Sequence, residues 1–377
     1  MSIQRGASLR PRPVPRRIEI LLSRRAPQTS LTPHHVGALD VTTEMPTPQG
    51  ITLLGDLVAG QAVFGSDGHP MPVLEITDVE TGRQCFEIEF STGERLVTDG
   101  EQRLVVQRRS RSGSGASALR LAAADVAEEV AARGAAAYGV RVAPALQIVA
   151  KRLPVEPYLL GAWLGAGIPG QAALHDADPE LVRLVAGSGA RVFTSGLPGR
   201  HWVAGGAVAR GGDLTTRLRE LGVLDSKHVP MLYLRGSEEQ RRALLSGLLD
   251  SAATVSDDGE IVFAAATAGL AVGAHQLIAS LGFRPQLRPR RQGIDVVFLT
   301  ATPVFGRDSQ QARLHARWRL AADLRPRRLL MSVEPVPDRP VRRLRIGSDD
   351  GVVLVGRSFI PVPTAVLDPA ARLLSLA

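Results

Sequence analysis

The chain has 377 residues, 44% of them apolar and 22% charged, with a formal net charge of +8, so two or three domains with sizeable cores are allowed and polyanions, nucleic acid above all, rank first among partners. Cys85 is the only cysteine, which excludes an internal disulfide, a cysteine zinc cluster and a two-cysteine redox pair and makes a reducing cytoplasm the simplest setting. No apolar run approaches the roughly 20 residues needed to span a bilayer, and the first residues lack an apolar signal core; a soluble chain without a membrane partner is expected.

Residues 1–37 are rich in Arg and Pro and nearly free of acids. Such a segment buries too little to offset its ordering entropy and reads as a disordered basic arm; the adjacent His34 and His35 are weak evidence for a metal. From Pro46 the pattern becomes short strands and turns. Apolar residues alternate in "CFEIEF", and the turns "GSDGHP", "ETGR" and "STGE" arrive at the spacing of an all-β unit, with Cys85 read as inward-facing core. A loop rich in Arg, Ser and Gly covers 108–117, and "ALRLAAADVAEEVAARGAA" has helical spacing. Residues 151–330 read as α+β, with helices near 158–167 and 238–252, strand-like "EIVFAAAT" and a "SDDG" turn that holds Asp257 and Asp258. Alternation returns in "RPVRRLRIGSDDGVVLVGRSFIPVP". The expected organisation is a basic arm (1–37), a β domain begun at 38–150 and completed at 331–364, a mixed domain between them at 151–330, and a tail at 365–377.

This order, with the blocks "PTPQGITLLGDLVAGQAVFGSDGHP", "GRQCFEIEFSTGE", "PYLLGAWLGAG", "LGVLDSKHVP", "LLSGLLDSAATVS", "LGFRP" and "VEPVPDRPVRRLRIGSDDGVVLVGRSFIP", resembles an intein of the type found inside bacterial replicative DNA helicases. The likeness runs from about Ala38 to about Pro363. It implies an all-β Hint splicing domain interrupted by an α+β homing endonuclease domain of the LAGLIDADG (DOD) type.

In that family two helices pack through small residues, and each presents one carboxylate at its base to hold the divalent ions, magnesium in the family, that activate water and stabilise the leaving oxygen. The small residues match at Gly161, Gly165, Gly247 and Ser251, whereas the two acid positions are Ala166 and Ala252. Alanine keeps a helix and offers no metal-binding atom. Asp250 lies two residues before the second position, about 200° around the helix axis, and Asp257 and Asp258 read as a solvated turn. No metal site and no cofactor are therefore expected.

Splicing needs a Cys or Ser at the first intein residue, and the alignment puts Ala38 there, within one or two residues. The histidine of the second block, which protonates the leaving nitrogen, is matched by Gln102. The closing His-Asn pair is replaced by Val362, Pro363 and Thr364. Positions in both chemical centres are lost together, so the resemblance implies a scaffold inactive in splicing and in cleavage.

DNA binding depends on shape and charge more than on the two acids. Candidates for contact with double-stranded DNA are Lys227, which matches the family's lysine before His, and Arg284, Arg288, Arg290 and Arg291, which equally fit a solvated basic hairpin. A monomer with no small-molecule substrate is expected. A DNA-binding regulatory protein on the same scaffold is the alternative; an active homing endonuclease would need substitute acids that the sequence does not offer. No G-x-x-x-x-G-K-[ST] loop precedes the β unit, and the tail "TAVLDPAARLLSLA" fits either a short amphipathic helix or the helicase sequence that follows such an insertion.

Overall fold

In the strand Cys85–Phe90 the period of two puts Phe86, Ile88 and Phe90 into one core while Glu87 and Glu89 stay half-exposed beside Arg95. Cys85 opens this strand and is buried on its other face, with Ala38 and Val341. The strand belongs to the largest sheet of the computed structural model, which describes residues 37–108, 118–175, 177–194, 199–205, 213–318 and 327–364. In spatial order the eight strands are Val341–Arg342, Leu39–Asp40, Arg95–Asp99, Cys85–Phe90, Arg327–Val336, Tyr138–Arg141, Arg103–Arg108 and Ala118–Ala122, all neighbours antiparallel. Arg327–Val336, from late in the chain, thus lies in the middle of a sheet otherwise built largely from its first 141 residues. The hairpin Val352–Val355 with Ile360–Pro363 and the sheet of Ala62–Phe64, Pro70–Ile76 and Leu344–Ile346 complete this β unit. One hydrophobic core spans Leu39 to Val140 and resumes at Leu330 to Val362.

The stretch 118–136 is not one helix. Ala118–Ala122 pairs with Arg103–Gln107 as an edge strand, and the helix α1 occupies Ala123–Arg133. "ALRL" satisfies both periods over so few residues, and the free edge of the neighbouring strand decides between them.

A second core runs from Val155 to Leu314. It contains α2 (Pro157–Ala166), α3 (Pro179–Gly187), α4 (Leu214–Glu220), α5 (Met231–Leu234), α6 (Glu238–Ala252), α7 (Ala268–Ser280) and α8 (Asp308–Trp318). α2 is capped by the Glu156 carboxylate on the Leu159 amide, and α6 by a capping box of Ser237 and Gln240. The two helices touch backbone to backbone: a Cβ on Gly161 would lie 2.1 Å from Leu244 O, and one on Gly247 2.1 Å from Tyr158 O. Each helix is followed by an antiparallel sheet. Ala173–His175, Arg200–Gly205 and Ala190–Thr194 follow α2, with Arg200–Gly205 central; Ala253–Val255, Ile261–Ala265, Ile294–Phe298 and Gln286–Pro289 follow α6. The described residues between 37 and 364 fall in one compact unit. No helix among the described residues is long and apolar enough to cross a membrane. The arm at 1–36 and the tail at 365–377, with His34 and His35, lie outside the described residues.

Candidate functional site

Two centres collect the residues singled out in the sequence. The first lies at one end of the large sheet, where the chain enters the described structure. Gly37 and Ala38 are buried there, and a Cβ on Gly37 would fall 1.9 Å from the Gln102 backbone and 2.4 Å from Asp99 Oδ1. The Ala38 amide donates to Asp99 Oδ1 at 2.9 Å, and the Asp99 amide donates back to Ala38 O at 2.9 Å. Gln102 is 2% exposed, and its Nε2 donates to Pro363 O and to Arg103 O, both at 2.8 Å. Thr364 closes the group: its amide and hydroxyl both donate to Gly351 O, at 2.5 and 2.8 Å. Ala38, Gln102 and the 363–364 segment, distant in sequence, thus come together in space.

Asp99 and Arg83 join this centre without having stood out in the sequence. Burial pushes the Asp99 carboxyl above the usual carboxylate range, against the opposing pull of the Ala38 amide and of Arg83, whose Nε lies 2.7 Å from Asp99 Oδ2. A carboxylate in the buried run of a strand was the available signal, since acids are almost never fully buried without partners. Cys85, packed against Ala38, donates its thiol to Arg83 O at 3.3 Å, and burial raises its pKa, so the thiolate is disfavoured.

The second centre is the C-terminal end of the α2–α6 pair. Ala166 and Ala252 are half-buried there, and a Cβ on Gly165 would lie 3.1 Å from Ala252 Cβ. Methyl groups at both positions do not fit a divalent ion. Asp250, 1% exposed, is committed elsewhere: it accepts from Tyr158 Oη at 2.8 Å and from the amides of Gly306 and Arg307 at 3.0 and 3.1 Å. Among the described residues no group of three or more His, Cys, Asp or Glu side chains is placed to hold a metal.

The basic candidates do not share one surface role. Lys227 is half-buried with its Nζ 5.3 Å from the Trp163 ring centroid, and burial lowers its pKa to about 8. Arg288 makes two 2.7 Å bonds to Glu260, Arg290 Nε lies 3.3 Å from Asp295 Oδ1, and Arg284 donates to Arg327 O. Arg291 is exposed. Asp257 and Asp258 occupy the turn between Ala253–Val255 and Ile261–Ala265, where Asp257 meets Arg317.

No family model matches the chain. It is 32% identical over 357 residues to the replicative DNA helicase DnaB of Mycobacterium intracellulare, a match covering 88% of this chain and 59% of that protein. A second match, to the DnaB of Mycobacterium leprae (strain TN), is 42% identical over 64 residues, 17% of this chain and 11% of that protein. The chain thus spans about three fifths, at most, of the curated relatives it matches. Among solved structures, an MchDnaB-1 intein (N145AA) aligns at 14% identity over 87% of this chain and 100% of that one, with a TM-score of 0.29. The Msm DnaB1 intein splicing domain bound with zinc aligns at 34% identity over 23% and 62%, with a TM-score of 0.20. With a sequence match to a DnaB helicase along nearly all of its length and intein blocks in order from Ala38 to Pro363, the chain belongs to the inteins of the replicative DNA helicase (DnaB) type.

Proposed function

We propose that this chain is an intein remnant: a Hint splicing domain carrying a LAGLIDADG-type endonuclease insertion, inactive in protein splicing and in DNA cleavage, with affinity for double-stranded DNA as the property its scaffold keeps. The observation that carries the reading is the convergence of Ala38, Gln102 and Pro363–Thr364. At the first junction the Ala38 methyl has no lone pair with which to attack the Gly37 carbonyl. Gln102 donates hydrogen bonds and has no proton to give near neutral pH, and it spends its amide on Pro363 O and Arg103 O. At the second junction Thr364 has no carboxamide to cyclise. The pair Ala166 and Ala252 supports the same reading for the insertion, because two methyl groups stand where paired carboxylates would hold metal ions. Lys227 and Arg291 are the cations left for duplex contact once Arg284, Arg288 and Arg290 are committed within the chain.

Intact mass after incubation with thiol across a range of pH tests the splicing half. A single species at the full 40.1 kDa is expected. Release of a fragment ending at residue 37, or ligation of the two flanks, would overturn it.

A further inference from the structure

In the large sheet the period of two separates a core face from an outer face. Val106 pairs with Val140, both inside the β core, so their neighbours Val105 and Arg141 look outward. Val105 pairs with Arg120, and Arg141 pairs with Arg327. Arg327, Arg141, Val105 and Arg120 therefore stand in one row across four adjacent strands, roughly 5 Å from each to the next. Among the described residues none of these three arginines is bonded to a carboxylate side chain. Like charges directly opposite each other destabilise a pair of strands. The Arg141–Arg327 pair is such a conflict, and Arg284, which donates to Arg327 O, adds a further cation beside it. A row that costs the fold stability and has no acid of its own suits an anion from outside.

Two of these arginines meet a recess. Its volume is about 630 Å³, within the range of small-molecule sites. The lining is mostly apolar, with Val105, Ala118, Val142, Pro144, Val352 and Pro361, and the exposed Arg120 and Arg141 reach it from the sheet. Asp350 is the one acid among its described lining residues, and it is engaged: Oδ2 accepts from Ser66 Oγ at 2.5 Å and Oδ1 from the Val352 amide at 3.0 Å. One wall is fixed in advance. The Leu146 amide donates to Ser280 O at 2.9 Å and the Gln147 amide to Gly68 O at 2.8 Å, which pins the segment after Arg141 to α7 and to the β unit at once. Gly282, at φ 84°, lets the end of α7 approach that segment; a Cβ there would lie 3.1 Å from Ala145 N.

We infer that this recess binds an amphipathic monocarboxylate, with its apolar body on the valines and prolines and its carboxylate between Arg120 and Arg141. Guanidinium groups match a carboxylate two bonds at a time. The two arginines less Asp350 leave one positive charge in the recess, which a monoanion balances. A polyanion would meet Asp350 and make no use of the apolar lining. The site shares no residue with the duplex contacts proposed above, so it stands or falls apart from them.

The test is a calorimetric titration of the full chain with decanoate, against decanol and decyltrimethylammonium, all below their micellar concentrations. Decanoate should bind one to one, and the neutral and cationic analogues about 10-fold more weakly or worse. Arg120→Gln with Arg141→Gln should weaken decanoate about 10- to 100-fold, the effect of losing hydrogen bonds to a charged group, and leave decanol unchanged. Ala118→Trp, which fills the recess from an exposed position on an edge strand, should remove binding, with circular dichroism and a thermal melt showing that the chain still folds. Without ligand, Arg141→Gln should raise the melting temperature, because it relieves the pairing with Arg327. Equal affinity for decanoate and decanol, a double variant that holds decanoate as the parent does, or a folded Ala118→Trp chain that still binds would overturn the proposal. So would a lower melting temperature in Arg141→Gln, or displacement of decanoate by an oligonucleotide, which would make the row a nucleic-acid surface instead.

Discussion

The Ala38 amide donates to Asp99, so a carboxyl group already lies on the nitrogen that would leave if the Gly37–Ala38 bond were cut. Burial raises its pKa and makes it readier to hold a proton there than an ordinary aspartate. On the reading proposed above, the Gly37–Ala38 junction lacks a nucleophile more than it lacks an acid. Ala38→Cys should therefore give slow, thiol-dependent cleavage after Gly37, followed by intact mass, with excess thiol also keeping the introduced sulfur from pairing with the neighbouring Cys85. Adding Asp99→Asn should slow it about 100-fold or more, the usual span for losing a general acid. If the Ala38→Cys chain stays whole for days in thiol, Asp99 has only a structural part, bracing the strand through the Ala38 amide and Arg83.

Two helices in contact through glycine leave no room for a larger residue, and this is where α2 and α6 are sensitive. Gly161→Ala would press a methyl to 2.1 Å from Leu244 O, so the helices must part, at a cost of about 1–3 kcal/mol. Ala166→Asp with Ala252→Asp adds bulk only at the half-buried end of the pair and should cost less. Thermal melts of the two variants side by side check the order; an equal loss would mean that the pair is not held by its glycines. The contact was legible in "PYLLGAWLGAG" and "LLSGLLDSAATVS" because small residues recur at helical spacing, and the strand Cys85–Phe90 was legible because its period of two spans six residues. Other features were not. "ALRL" is too short for its period to choose between helix and strand, so its neighbour Arg103–Arg108 chose. The arginines of 284–291 read as a basic surface because composition does not reveal that Glu260 and Asp295 hold Arg288 and Arg290. Arg120, Arg141 and Arg327 were invisible as a row, since only register brings them side by side.

Between the two cores the chain spends buried arginines that have no carboxylate partner. Arg235, on the Val155–Leu314 side, is 0% exposed and donates to Thr47 O at 2.7 Å and Gly50 O at 2.9 Å in the β unit. Arg241 is 0% exposed as well and joins Leu146 O to Ser280 O. Burial lowers the pKa of each to about 10, and at Arg241 the field of the Glu238 carboxylate opposes that shift. A buried charge is weak evidence for stability, yet truncating it strands the groups that it satisfied. The small apolar group of Phe64, Leu146, Ala279, Leu354 and Phe359 draws side chains from both sides of the same seam. Neither core should then unfold ahead of the other. In urea, the fluorescence of Trp163, isolated by Trp202→Phe and Trp318→Phe and reporting the core around α2, and far-UV circular dichroism, which also sees the large sheet, should trace one coincident transition. Arg235→Ala should shift both probes together by about 2–4 kcal/mol, since two carbonyls lose a charged donor. Two separated transitions in the parent chain, or a shift confined to the Trp163 probe, would mean that the insertion is stabilised independently of the β unit it interrupts.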